Sequence, residues 1–199
     1  MKIYGVPQSR AFRTLWMAEE LGLDYDHEPT HYQDGAKAED YLQINPNGRI
    51  PCIVDDGFVV WESMAINLYL AKKHPGELTP KSLEEEALAV QWSFWVMTEV
   101  EKPLLNSLFA ATGMMGFEKD PEQAKAYFSE LSDPLKVLDQ ALAGKDYLLG
   151  DRFTVADLNI ASVLSWAQMG GFSLSDWPNV DAWMSRCTQR PAVSKVQNL

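Results

Sequence analysis

The sequence predicts an α/β domain of order βαβαββα at residues 1–76, a linker at 77–85 and an all-helical domain at 86–199. Two observations carry this reading. Short apolar strands alternate with helical stripes as far as Gly76, whereas beyond it apolar residues recur only at three- and four-residue spacing. The stretch Asn45–Tyr69 also compresses a turn, a proline-headed strand, a hairpin and a helix start into one run.

Lys2-Ile3-Tyr4 is a short strand and Gly5-Val6-Pro7-Gln8 a loop. Ser9 stands as N-cap before Ala11, Phe12, Leu15, Trp16, Ala18 and Leu21, a helical stripe that stops at Gly22. Two features oppose the dipole of this helix. Glu19-Glu20 lie near its negative end, and Arg10 and Arg13 lie in its first turn. An anion near Ser9 would give the arginines a use; the plain alternative is that they reach nearby carboxylates. Tyr25 to Thr30 reads as the second strand, and Gly35 to Leu42 as a loop and a weak helix containing Lys37.

Asn45-Pro46-Asn47-Gly48 is then a turn, and Ile50-Pro51 leads into the apolar Cys52-Ile53-Val54. Asp56-Gly57 is a hairpin signal, with Phe58–Trp61 as the return strand. Strands joined through helices are expected to lie parallel, the hairpin adding an antiparallel edge. Pro51 cannot donate to a ladder, so it marks an edge, a bulge or a ligand-facing strand end. A cis Ile50-Pro51 bond would turn the preceding backbone outward, where an extended peptide could pair with it. Glu62-Ser63 opens the next helix. A serine hydroxyl beside unpaired N–H groups and the positive dipole end suits a carboxylate. Each of these features has an ordinary reading as an edge proline or a cap; their order is what points to a site.

Lys72-Lys73 and Pro75-Gly76 close that helix. In the second domain Leu83, Ala87, Val90, Phe94, Met97, Glu101, Leu104 and Leu108 define one long helix kinked before Pro103. Gly113 to Asp120 is a break. Pro121 to Leu142 is a second helix, Tyr147 to Asp151 a turn, and Pro178 to Arg190 a last helix followed by a short tail. Thr154-x-x-Asp157 is a close variant of the capping box, a structural device ahead of another helix.

The bulk properties narrow the function. The net charge is −11, and residues 1–76 carry 7 basic against 11 acidic side chains. Neither half has a basic stripe, which argues against a nucleic-acid partner. The two cysteines, Cys52 and Cys187, lack metal or disulfide spacing, so no metal is expected and a reducing cytoplasm fits. No apolar window approaches a membrane span, and no secretory signal is visible at Met1–Gly5.

Three motifs at these separations resemble the cytosolic glutathione transferases, in particular serine-type, bacterial-like members. They are Asn45-Pro46-x-Gly48-x-x-Pro51 with the later Glu62-Ser63, Ser9 at a helix start, and Leu149-Gly150-x-x-Phe153-Thr154-x-x-Asp157. The resemblance covers essentially the whole chain. It implies a thioredoxin-like first domain, a helical second domain, a homodimer, and reduced glutathione as co-substrate. It also implies that Pro51 is the family's cis-proline, that Ile50 pairs with the cysteinyl unit, and that Ser63 and Glu62 hold the carboxylate and ammonium of the γ-glutamyl end. Lys37 and Arg49 lie where the family often places groups near the glycyl carboxylate.

Ser9 occupies the activating-hydroxyl position of the serine-type classes and would donate a hydrogen bond to the glutathione thiolate; Tyr4 is the alternative donor. An ordinary thiol pKa of about 8.5 leaves only about 3% thiolate at neutral pH, so some anion stabilisation is needed. Cysteine-type relatives have a Cys at the helix start. This chain has none before Cys52, which reads as a packing thiol and lowers the expectation of thiol–disulfide exchange. By resemblance, Phe12, Phe109, Thr112 and Met115 are candidates for an apolar electrophile pocket, although Phe12 and Phe109 also read as plain core. The expected activity is conjugation of glutathione to a small hydrophobic electrophile, as in detoxification. Glutathione-dependent peroxidase, isomerase or dehalogenase chemistry on the same site is an alternative, and so is a non-catalytic binding protein of the same fold.

Overall fold

A computed structural model describes residues 1–199. The chain forms two compact units. The first comprises residues 1–80 together with 190–199, and the second residues 81–189.

The first unit is built on four short strands: β1 (Lys2–Tyr4), β2 (Asp26–Glu28), β3 (Cys52–Asp55) and β4 (Phe58–Trp61), in spatial order β2-β1-β3-β4. β1 pairs in parallel with β2, and Ile3 faces His27. The expectation that β3 would also lie parallel is overturned: β3 runs antiparallel to β1, with Tyr4 opposite Cys52. A parallel return needs a crossover that carries the chain back along the strand. This connection holds only a 3₁₀ turn at Gly35–Lys37 and the six-residue helix α2 (Glu39–Ile44), which packs on that turn, in place of the long helical crossover that a parallel return uses. The hairpin follows the sequence signal. Asp56 and Gly57 have φ of 51° and 85°, the left-handed pair of a two-residue turn, and β3 and β4 pair antiparallel.

Helix α1 (Ala11–Glu20) packs on α3 (Ser63–Lys73), and Ala11, Leu15, Trp16 and Met17 are fully buried. It ends where Gly22 (φ 61°) lets Leu23 N–H reach the Ala18 carbonyl and Gly22 N–H the Glu19 carbonyl. The acidic pair at this end is neutralised from afar. Residues 190–199, read as a tail, contain a further helix, α10 (Pro191–Gln197), packed on α1. Arg190 donates from Nε and a terminal nitrogen to both Glu20 oxygens at 2.7 and 2.8 Å, and Lys195 lies 3.3 Å from Glu19. At the other side of the unit, the Asp55 carboxylate accepts from Lys73 at 2.5 Å and from the Tyr69 hydroxyl at 2.8 Å, which clips the hairpin to the end of α3.

The second unit is helical. The predicted long helix is α4 (Leu83–Trp95) and α5 (Glu101–Thr112), joined by a π-helical segment at Val96–Val100. Pro103 has no N–H for the carbonyl one turn back, and the wider segment lies just before it. α4 opens at Leu83, with the Ser82 hydroxyl accepting from Glu85 N–H. The predicted Pro121–Leu142 helix is two helices, α6 (Pro121–Ser129) and α7 (Ser132–Leu142). Pro134, third residue of α7, cannot donate back to Glu130, so the chain breaks there.

Helix α8 (Val155–Met169) runs through the core, with Val155 to Leu164 buried without interruption. Asn159 on it donates to Ser93 Oγ at 2.8 Å, fastening α8 to α4. The capping box is present at its start. Asp157 accepts from Thr154 N–H and Oγ at 2.9 Å each, from Leu148 N–H at 2.8 Å, and from Trp183 Nε1 on α9 (Pro178–Thr188) at 3.0 Å. Burial pushes the Asp157 carboxyl above its ordinary value, and the four donors pull against that. The apolar stripe read for α4 does not face this core. Leu83 is 77% exposed and Phe94 69%, while Ala89, Trp92 and Ser93 turn inward. No helix is long and apolar enough to cross a membrane.

Candidate active site

Three segments of the first unit meet at the start of α1. The first is the loop after β1. Gly5 has φ 132°, and a side chain there would place its Cβ 2.5 Å from Ala11 Cβ and 3.2 Å from Ile50 Cβ. Only glycine allows the β1 end, the α1 start and Ile50 to approach so closely. Its N–H donates to the Glu28 carbonyl, and its carbonyl bonds His27 Nε2 at 2.8 Å.

Ser9 sits in the turn preceding α1. The helix proper opens at Ala11, and Arg10 occupies the N-cap position expected for Ser9. The serine still performs a capping bond one residue early. Its Oγ accepts from Ala11 N–H at 3.1 Å and donates to the Val6 carbonyl at 2.7 Å. Ser9 is half-buried, so the hydroxyl is within reach of a ligand.

The second segment presents Ile50. The Ile50-Pro51 bond is cis, as the family resemblance implied. Asn45, buried, organises the preceding turn: its Oδ1 accepts from Asn47 N–H at 3.1 Å and its Nδ2 donates to the Arg49 carbonyl at 2.8 Å. The Tyr41 hydroxyl donates to the same carbonyl at 2.7 Å. Lys37 Nζ donates to the Gly48 carbonyl at 2.6 Å, so its ammonium is held beside the turn, and the Arg49 side chain is exposed. Ile50's own N–H and C=O take part in no backbone bond of the sheet or the turn. Cys52 lies just inside, wholly buried, and burial pushes its thiol up to about 11, which makes it a packing group at neutral pH.

The third segment is the start of α3. Glu62 has φ 73° and ψ 113°, a conformation a non-glycine residue rarely adopts, and no side chain caps the helix. Ser63 is its first residue, 5% exposed. The segment is tied to α1 by Arg13, whose Nη1 donates to Ser63 Oγ at 3.4 Å, and by Asn67 Nδ2, which donates to the Arg13 carbonyl at 3.2 Å. The sequence marked Arg13 as badly placed against the helix dipole and offered it an anion near Ser9 or a nearby carboxylate, not a hydroxyl of α3. Its partner Ser63 lies 50 residues on, and no local spacing reveals such a contact.

Tyr4, the alternative donor, belongs to a different neighbourhood. Its ring meets Tyr41 edge-on at 5.6 Å and joins a packed cluster with Ala36, Ile50 and Cys52. Of the pocket candidates, Phe12 is in the first unit, half-buried with its ring 5.7 Å from Trp16. The others belong to the second unit. Phe109 packs on Phe117 at 5.0 Å, and Thr112 donates back to the Leu108 carbonyl at 2.7 Å. Met115 is exposed in a left-handed turn, φ 60°.

A two-unit chain with a small mixed sheet, a cis-proline loop and two helix starts brought together defines a class of thioredoxin-like proteins carrying a helical second domain. Two family models match it: the glutathione S-transferase N-terminal domain over residues 1–72 and the glutathione S-transferase C-terminal domain over 86–191. The chain belongs to the glutathione S-transferase family. It is 33% identical to glutathione S-transferase 3 of Zea mays over 207 aligned positions, covering 98% of this chain and 92% of that one. It is 30% identical to glutathione S-transferase D7 of Drosophila melanogaster, with coverage of 92% and 82%. Among solved structures it is similar to glutathione S-transferase-I bound with lactoylglutathione, with TM-score 0.89, 31% identity and coverage of 99% and 98%. It is also similar to the theta-class enzyme of Xanthomonas axonopodis pv. citri with glutathione bound, with TM-score 0.87, 29% identity and coverage of 98% and 95%.

Proposed function

We propose that this protein is a serine-type glutathione transferase that conjugates the thiolate of reduced glutathione to small hydrophobic electrophiles. The observation that carries the proposal is the entry to α3. A rarely adopted Glu62 backbone leads into an uncapped helix whose first hydroxyl, Ser63, is tied by Arg13 to the helix that Ser9 precedes. Backbone in such a conformation costs on the order of 1–3 kcal/mol, and persists where the surroundings over-determine it, as at ligand clamps.

The roles follow from chemistry. Ile50 N–H and C=O pair with the cysteinyl unit of the tripeptide in antiparallel fashion. Ser63 Oγ and the α3 N–H groups take the γ-glutamyl carboxylate at the positive end of the helix, and Glu62 meets its ammonium. Lys37 and Arg49 favour the glycyl carboxylate. Ser9 turns its hydroxyl from Val6 to the sulfur, and the positive end of α1 supports the same anion. The sulfur of glutathione is the nucleophile, and Ser9 stays unmodified. Tyr4, packed on Tyr41, is less well disposed to donate. Phe12 of the first unit, and Phe109, Thr112 and Met115 of the second, are assigned to the electrophile as separate contributions, each open to its own substitution.

The proposal includes a homodimer and a cytoplasmic location. The exposed Leu83, Val90 and Phe94 of α4 lie on one helical face, and Phe58, Val59 and Trp61 of the edge strand β4 are exposed as well. A second copy of the chain would cover such apolar surface. Both cysteines are buried and outside any disulfide, as a reducing compartment favours.

Retention on immobilised glutathione, followed by a conjugation assay with an activated aryl halide, tests the reading. Retention with release by free glutathione, and turnover of the halide, are expected. Neither retention nor turnover would leave a non-catalytic protein of this fold. Retention without conjugation, but with peroxide reduction, would move the activity to a peroxidase.

A further inference from the structure

We infer that Arg13 is a positioning residue that fixes Ser63 as a hydrogen-bond donor toward the γ-glutamyl carboxylate, an inference that rests on the site proposed above.

A serine hydroxyl has one hydrogen and two lone pairs, and can present either to a ligand. A carboxylate only accepts, so Ser63 is useful to it in one orientation alone. The guanidinium only donates. With Arg13 Nη1 at 3.4 Å on Ser63 Oγ, one lone pair of the hydroxyl is engaged from behind and its hydrogen is directed elsewhere. Arg13 thereby selects the donor orientation before the ligand arrives. Its charge adds to the effect in two ways: it polarises the O–H bond, and it attracts the carboxylate beyond it through a medium that contains little water.

The arrangement is built rather than incidental. Arg13 is 1% exposed, the third residue of α1 after Ala11 and Phe12, where the helix dipole opposes a cation. Asn67 is wholly buried and one turn along α3 from Ser63; by binding the Arg13 carbonyl at 3.2 Å it holds the arginine's backbone while Ser63 holds its tip. The two α3 side chains share one face and grip one residue of α1, so the guanidinium cannot drift along the helix. A long point-charge side chain would reach Oγ with less directional control than the planar fork does.

The test compares binding of glutathione with that of its analogue lacking the γ-glutamyl α-carboxylate, by calorimetry, for the wild type, Arg13→Met and Arg13→Lys. Wild type is expected to bind glutathione at least about tenfold more tightly than the analogue, the scale of a charge-assisted hydrogen bond. In Arg13→Met that ratio is expected to fall toward one through loss of glutathione affinity, with analogue binding unchanged; Arg13→Lys is expected to recover part of it. Equal weakening of both ligands in Arg13→Met, or an unchanged ratio, would overturn the positioning role and leave the site reading intact. A wild type that binds both peptides equally would overturn the site reading itself. If Arg13→Met does not fold, the ratio in Arg13→Lys decides: a value equal to wild type rejects the directional role, and a reduced one supports it.

Discussion

Replacing Ser9 by alanine should raise the pKa of bound glutathione's thiol by about one unit, and the size follows from what the hydroxyl does without ligand. A hydrogen bond to a charged partner contributes about 1.5–3 kcal/mol and one between neutral groups about 0.5–1.5. The Ser9 hydrogen already lies on the Val6 carbonyl at 2.7 Å, so only the difference is available to the sulfur. That difference is about 1.4 kcal/mol, or one pKa unit. A thiol brought from about 8.5 to about 6.5 in the wild type would then titrate near about 7.5 in the variant. Well below both values conjugation should be about tenfold slower, and well above them unchanged, because both proteins then hold thiolate. The assay is kcat/KM against pH together with the ultraviolet absorbance of the bound thiolate. Ala11 N–H also loses its acceptor, so a stability loss of about 1 kcal/mol accompanies the change and is read separately by thermal unfolding. A loss of rate equal at every pH would refute the ionisation argument, and an unshifted profile in Ser9→Ala with a shifted one in Tyr4→Phe would transfer the role to Tyr4.

Three further outcomes are expected. Gly5→Ala forces a Cβ into Ala11 at 2.5 Å with φ at 132°, and should cost about 4 kcal/mol in urea unfolding while weakening glutathione retention, since Ile50 must yield. Asp157→Ala strips the acceptor from four buried donor groups, the N–H and hydroxyl of Thr154, Leu148 N–H and Trp183 Nε1, and should lower stability by about 3–5 kcal/mol in the same assay; a change under about 1 kcal/mol would contradict the network. Burial alone would raise the Asp55 carboxyl, but hydrogen bonds from Lys73 and Tyr69 and the Lys73 charge outweigh it and hold the group below its ordinary value. A depressed folded-state pKa means a contribution present above the unfolded carboxylate's pKa and lost as pH falls through the folded one. Lys73→Met should therefore reduce stability at neutral pH and flatten its decline in acid, as followed by unfolding midpoints across the acid range.

Much of the first unit could be read from local chemistry. The Asp56-Gly57 turn, the proline at the head of β3 and the Thr154–Asp157 box each depend on residues a few positions apart, and the structure has all three. What the sequence hid depended on distance or on competition. β3 runs antiparallel after a connection that forms a 3₁₀ turn and the short α2 in place of a long helical crossover, and a strand pattern does not show which way a connection leads. The break at residues 130–131 turned on Pro134, three residues into what looked like a continuous helical stripe. The α4 stripe was regular yet faced outward, since periodicity shows that a helix has an apolar face and not what covers it. In the site, Ser9 and Ser63 were found by motif, but the bonds that restrain them, to Val6 and from Arg13, appear only in three dimensions.

The clasp between Arg190 and Glu20 joins residues 170 positions apart. It sets an order of events during synthesis. β1 to α3 leave the ribosome first, but the surface of α1 that α10 covers stays bare until more than a hundred further residues have been made. A gene fragment ending at the linker would encode the sheet and both helix starts of the site without the helix that closes over α1. Recombination between relatives at that linker therefore exchanges more than a second domain, because each donor's carboxy-terminal helix must also match the other's α1.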